Sequence, residues 1–169
     1  LSLAEPLTQR LAALASTPPE RAASAIATGA VAEALANPRR AIDAYQSTLL
    51  DPLLAQSTVV SSGLSARADV EASRRLRRVV RDFGPSAYAP FEQQAQRALA
   101  NTPPNPDALE ELSRQYPLAL SSSRALLNAA EMRSRADDPH RAALNLERAL
   151  TIADDSRNTD APLLAELRA

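Results

Sequence analysis

The densest concentration of one chemistry in the chain is the run Arg74-Arg75-Leu76-Arg77-Arg78-Val79-Val80-Arg81, five guanidinium groups in eight residues. On a helix, Arg74, Arg77, Arg78 and Arg81 fall opposite a stripe of Leu76, Val79, Val80 and Phe83 and make one basic ridge. Arginine forks bind carboxylates and phosphates bidentately, so the ridge suits an acidic partner or a phosphate. Its other reading is a solvated face, partly neutralised by i,i+4 pairs from Glu71 to Arg75 and from Arg78 to Asp82. Nucleic acid fits poorly, because no aromatic residues interleave with the arginines and the formal net charge is -1.

Acid–base and metal chemistry have fewer candidates. The pairs Glu110-Glu111, Asp137-Asp138 and Asp154-Asp155 bring carboxylates together in sequence, but helical neighbours point about 100° apart, so they read as surface or capping groups. An all-helical hydrolase or lyase working through one buried carboxylate stays open as an alternative, with Glu110 and Glu111 as its best candidates. Asp155 to Glu166 has the length of a calcium loop, yet Arg157 takes an inner ligand position, Asp160 replaces the turn glycine and Pro162 intrudes. His140 is the single histidine, in the first turn of a helix, and there is no cysteine, so the usual zinc ligand sets cannot be built. All 19 basic residues are arginine, which removes Schiff-base lysines, the P-loop lysine and lysine general bases, whether selection or coding bias is the cause. The expectation is a chain with no catalytic residues, no metal and no cofactor.

The elements that hold these groups are helices. Hydrophobic residues make up 45% of the chain, much of it alanine, while aromatics supply only 3%, so a thin core of closely approaching helices is expected. Three glycines are too few for a turn-rich β protein. Of the 13 prolines, several follow a capping residue, at Asn37-Pro38, Asp51-Pro52, Asn105-Pro106 and Asp138-Pro139, where a helix tolerates proline in its first turn. Leu7, Leu11 and Leu14 share one face of a first helix over residues 5–15, and a second runs over 20–36. Ala41, Ile42, Tyr45 and Leu49 form the stripe of a third, and residues 51–63 read as an irregular connector with one short helical turn. Further helices are expected over 64–83, 86–100, 106–116, 121–135 and 139–153, with a last one opening at Asp160-Ala161-Pro162. Phe83, Tyr88 and Phe91 around Gly84-Pro85 read as a corner that locks two helices.

The segment Asn37-Pro38-Arg39-Arg40-Ala41-Ile42-Asp43-Ala44-Tyr45 is echoed without a gap by Asp138-Pro139-His140-Arg141-Ala142-Ala143-Leu144-Asn145-Leu146, with cap, proline, arginine, alanine and large apolar residue at equal offsets. The pattern resembles the tetratricopeptide repeat, in which a small residue lies twelve positions before the alanine of the second helix, where the two helices cross closely. Gly29 and Ala130 stand there. The resemblance covers residues 21–50 and 122–153, and departs from the family where Ala25, Ala32, Leu126 and Arg133 replace large residues of the first helix. It implies that the first helix of each unit lines a concave face. That places Arg124, Glu131, Ser134 and Arg135 in the groove of the later hairpin and Ala23, Ile26 and Ala30 on the earlier face, apolar enough for another helix to cover. Tyr88-Ala89-Pro90-Phe91-Glu92 and Arg114-Gln115-Tyr116-Pro117 also look like helical regions beside PQQ-binding-like β-propellers of large bacterial proteins, which implies an extracytoplasmic arm.

The fold class expected is therefore all-α: antiparallel helical hairpins stacked as a TPR-like solenoid or irregular bundle of eight or nine helices. One domain over 1–169 is expected, with hairpins at about 20–50, 64–100, 106–135 and 139–169. Leu1 in place of an initiator methionine, and a helix still running at Ala169, suit a piece of a longer chain. The function expected is a non-catalytic scaffold that holds a protein or peptide partner or spaces other domains of the same polypeptide, with a helical accessory domain of an extracytoplasmic enzyme or propeller protein as the alternative. Its partner-contact residues are Arg74, Arg77, Arg78, Arg81, Arg124, Glu131 and Arg135. No apolar run approaches the roughly 20 residues that cross a bilayer, so no membrane insertion is expected.

Overall fold

A computed structural model describes residues 4–61 and 63–155. Among them the fold is all-α, with nine helices and one small hairpin: α1 (Ala4–Leu14), α2 (Pro18–Ala34), α3 (Pro38–Leu50), α4 (Pro52–Ala55), β1 (Thr58–Ser61), β2 (Leu64–Arg67), α5 (Ala68–Phe83), α6 (Ala89–Asn101), α7 (Pro106–Gln115), α8 (Leu120–Arg135) and α9 (Pro139–Asp155). They form two compact units, one running to Ala87 and one beginning at Tyr88. The helix expected beyond Asp160 lies outside the described residues.

The cap-proline signals hold at every position. Asn37 Oδ1 accepts from the Arg40 amide at 3.1 Å, Asp51 Oδ1 from Leu53 at 2.9 Å, Asn105 Oδ1 from Asp107 at 2.8 Å and Asp138 Oδ1 from Arg141 at 3.2 Å. Each proline that follows opens its helix, where its missing N–H leaves nothing unsatisfied. Glu20 performs the same service for α2 from inside the helix, accepting from the Thr17 amide at 3.0 Å and the Ser16 amide at 2.9 Å.

In the first unit α2 packs on α3, and α3 on α5. Ile42, Tyr45, Leu76 and Val79 are fully buried and Ala22, Ala32, Ala41 and Ala72 fill the seams between them. A Cβ placed on Gly29 would fall inside the van der Waals envelope of the Tyr45 ring, so only glycine permits this crossing. In the second unit α8 packs on both α7 and α9, with Leu109, Leu112, Leu126, Ala149 and Ile152 buried. Tyr88 is buried there too and packs on Phe91 with ring centroids 5.5 Å apart.

The α2–α3 and α8–α9 turns are closed in the same way. Ala36 (φ 53°) and Asp137 (φ 60°), equivalent in the repeat, both take the left-handed conformation that ends a helix. The Asn37 amide then donates to the Ala32 carbonyl and the Asp138 amide to the Arg133 carbonyl, each at 2.9 Å. Past the first turn the two second helices part: Tyr45 is buried, whereas its counterpart Leu146 is 39% exposed and Asn145 faces inward.

Two expectations, the helix start at residue 64 and the locked corner at Phe83, are corrected, and the direction of the α1 leucines is settled. Residues 64–67 are a strand rather than the first turn of a helix: Val59 and Val60 supply a β-branched edge, Gly63 (φ 79°) turns the chain, and the Ala68 amide closes the base on the Ser57 carbonyl at 2.8 Å. The leucines of α1 face outward, Leu7, Leu11 and Leu14 being 58%, 53% and 79% exposed, while the residue α1 buries is Thr8, whose hydroxyl is satisfied by the Glu5 carbonyl at 2.9 Å. Phe83, at the end of α5, is 42% exposed.

Candidate functional site

The arginine ridge is built on α5, and Arg74 and Arg78 are engaged with carboxylates of their unit. Arg74 donates to Glu71 through Nε at 2.9 Å and Nη2 at 2.8 Å, and Arg75 donates to the same carboxylate at 2.6 Å. Ser61 of β1 adds a hydroxyl donor to Glu71 at 2.8 Å and accepts from Arg75 at 3.2 Å. Hydrogen bonds from Arg74, then from Arg75 and Ser61, outweigh burial and hold the Glu71 carboxyl at about 2. Glu33 of α2 takes the Tyr45 hydroxyl and the Arg78 guanidinium, the latter at 3.0 Å through Nε. Burial, followed by the Glu33 hydrogen bond, pushes the Tyr45 phenol well above its ordinary range. The expected Glu71–Arg75 pair is present. The expected Arg78–Asp82 pair is not: Arg78 reaches Glu33, whose carboxylate already sits at the seam, and Asp82 faces Arg81 at 3.4 Å. Arg74, Arg77, Arg78 and Arg81 all remain exposed at the surface of α5.

On α8, Arg124, Asn128, Glu131 and Arg135 share one exposed face, and Glu131 pairs with Arg135 at 3.3 Å. The opposite face is fixed from outside the helix. Ala119 has no side chain with which to cap α8, and Glu92 of α6 does it instead, accepting from the Leu120 amide at 2.6 Å, the Ser121 amide at 3.1 Å and the Ser121 hydroxyl at 2.6 Å. Arg133 turns inward to Asp107 and Glu110 of α7.

The adjacent carboxylates do not converge. Glu110 faces the α7–α9 seam, where it accepts from Arg133 at 3.2 Å and from Asn145 at 3.0 Å, while Glu111 faces out to Arg114 at 2.6 Å. His140 is exposed in the first turn of α9. Among the described residues no three His, Asp or Glu side chains come together as a metal site, and no helix is long and apolar enough to cross a membrane.

The feature that sequence reasoning did not isolate is an apolar groove between α1 and α2. It has a volume of about 410 Å³, with Leu11 and Leu14 on one wall and Ala23, Ser24 and Ala27 on the other. Ala23 stays exposed, Ala30 is partly covered and Ile26 is buried, so α1 covers only part of the apolar face of α2. The Ser24 hydroxyl is buried beside the groove without a hydrogen-bond partner. The signal was present in the Leu7, Leu11, Leu14 spacing, but periodicity shows that a helix has an apolar face and not whether that face is covered. No family model, no curated protein and no solved structure matches this chain.

Proposed function

We propose that this chain is a non-catalytic, TPR-like helical scaffold that holds a protein partner through the face formed by α1 and α2. The observation that carries the reading is the outward leucine stripe of α1 beside an apolar groove. Leu7, Leu11 and Leu14 lie at i, i+4 and i+7, more than half exposed, and scattered single leucines would not need a partner whereas a continuous stripe does. The period matches helix-in-groove recognition, in which an amphipathic segment inserts its own apolar face. The paired turns at Ala36 and Asp137, the closed crossing at Gly29 and the equivalent small residue Ala130 support a repeat architecture of stacked hairpins. The arginines of α5 and the Arg124, Glu131, Arg135 face of α8 supply charge at the surface for orientation and on-rate rather than the core of the contact.

The test is site-specific photo-crosslinking in the cells that produce the protein. A photo-reactive residue at Leu7 or Leu14 is expected to give one discrete adduct that disappears when Leu11→Asp is added, while the same residue at Arg39, on the exposed side of α3, gives none. Adducts of equal intensity from every exposed position, or none from α1, defeat this reading.

A further inference from the structure

The seam between α7 and α9 is laddered by polar contacts one helical turn apart. Asp107 meets Arg141 at 3.8 Å, Glu110 meets Asn145 at 3.0 Å and Ser113 meets Arg148 at 3.2 Å. On α7 the rungs come every three residues, and the first two present a carboxylate to α9. The third presents a serine. Its hydroxyl is committed as a donor to the Glu110 carbonyl at 2.7 Å, so it offers Arg148 only a neutral acceptor oxygen. Ser113 is 1% exposed, which draws the guanidinium into the seam.

The carboxylates nearby are already used. Glu110 is shared by Arg133 and Asn145, and Glu111 is held by Arg114. Among the described residues Arg148 therefore has no ion pair, and one hydrogen bond meets the five donors of its fork. A partly buried cation in this state is destabilising unless an anion is supplied. Burial, and then the positive charge of Arg114, lower the proton affinity of Arg148, and the Glu110 carboxylate, already bonded to Arg133 and Asn145, opposes them only in part.

We infer that the third rung, Arg148 with Arg114 beside it, is a binding site for a single oxyanion, a phosphate or carboxylate group that takes the place the first two rungs give to an acidic side chain. The inference is independent of the α1–α2 groove. An oxyanion there accepts bidentately from Arg148, while the Arg114 guanidinium contributes charge from its bridge to Glu111.

The experiment follows the side-chain Nε–H signals of arginine by NMR in the full chain during titration with inorganic phosphate, and separately with N-acetyl-aspartate amide. Saturable shifts of the Arg148 signal, with affinity on the order of millimolar, are expected from at least one probe, and the stronger one identifies the group that the site accepts. Ser113→Asp restores the missing carboxylate without touching either arginine. It is expected to weaken the anion by about tenfold or more and to raise the melting temperature, because Arg148 then has an internal partner. Arg148→Gln is expected to abolish the accompanying saturable shift of the Arg114 Nε–H signal, with the fold intact by circular dichroism. Absence of a saturable Arg148 response to either probe, or undiminished binding by folded Ser113→Asp, overturns the inference.

Discussion

At the scale of single residues, a close helix crossing at Gly29 and a buried ion pair at Glu71 each carry a measurable share of stability. Gly29→Ala drives a methyl group into the Tyr45 ring and is expected to destabilise by about 2 kcal/mol in chemical denaturation. Ala36→Gly relieves a left-handed alanine and is expected to stabilise by about 1 kcal/mol, and Asp137→Gly tests the equivalent position of the second hairpin. Glu71→Gln leaves Arg75 with only its longer ionic contact to Glu33 at 3.9 Å, and a loss of about 3 kcal/mol is expected. Since the folded carboxyl sits at about 2, below its ordinary value of 4.5, its contribution is complete above that ordinary value and disappears as pH falls toward 2. Acid titration of stability in wild type should therefore be steeper over that interval than in Glu71→Gln; identical slopes would show that Glu71 is not the group responsible. Among the ridge substitutions, those at Arg77 and Arg81 leave the Glu71 and Glu33 contacts in place, whereas reversing Arg74 or Arg78 strips Glu71 or Glu33 of a partner.

At the scale of elements, the helices and their starts were legible because their signals are local. Asn37, Asp51, Asn105 and Asp138 each act within three residues, and proline fixes the following turn. What joins the helices was not legible, because the partners lie far apart: Tyr45 and Glu33 are 12 residues apart, Arg78 and Glu33 are 45, and Glu92 reaches a backbone amide 28 residues on. The β1–β2 hairpin was hidden for a related reason: Leu64 and Ala66 suit a helix as well as a strand, and the register is set across the turn by Val59 and Val60. The ridge was visible in outline, yet its pairing was missed at Arg78 because an i,i+4 rule sees only its own helix. Asn37→Ala and Asp138→Ala are each expected to lower stability by about 1 kcal/mol, since each removes one capping acceptor and leaves the following proline in place.

At the scale of the whole molecule, the division at Ala87 and Tyr88 sets how far a local change spreads. Hydrogen exchange should show it. Asn37→Ala is expected to speed amide exchange in α2 and α3 and to leave α8 and α9 unchanged, and Asp138→Ala to do the reverse. A uniform rise throughout either variant would mean that the units unfold as one. The all-α class follows from composition, since alanine-rich seams with few glycines admit little else.

The reach of Glu92 from α6 to the start of α8 governs the order of assembly within the second unit. A helix that carries its own cap satisfies its first turn locally; α8 follows Ala119, which brings no acceptor, so its opening turn stays frayed until another element arrives with a carboxylate. Its completion is therefore a late event that waits on loop closure, and refolding of Glu92→Ala should lose a slow step at the head of α8 while the tail of that helix gains protection at its usual rate.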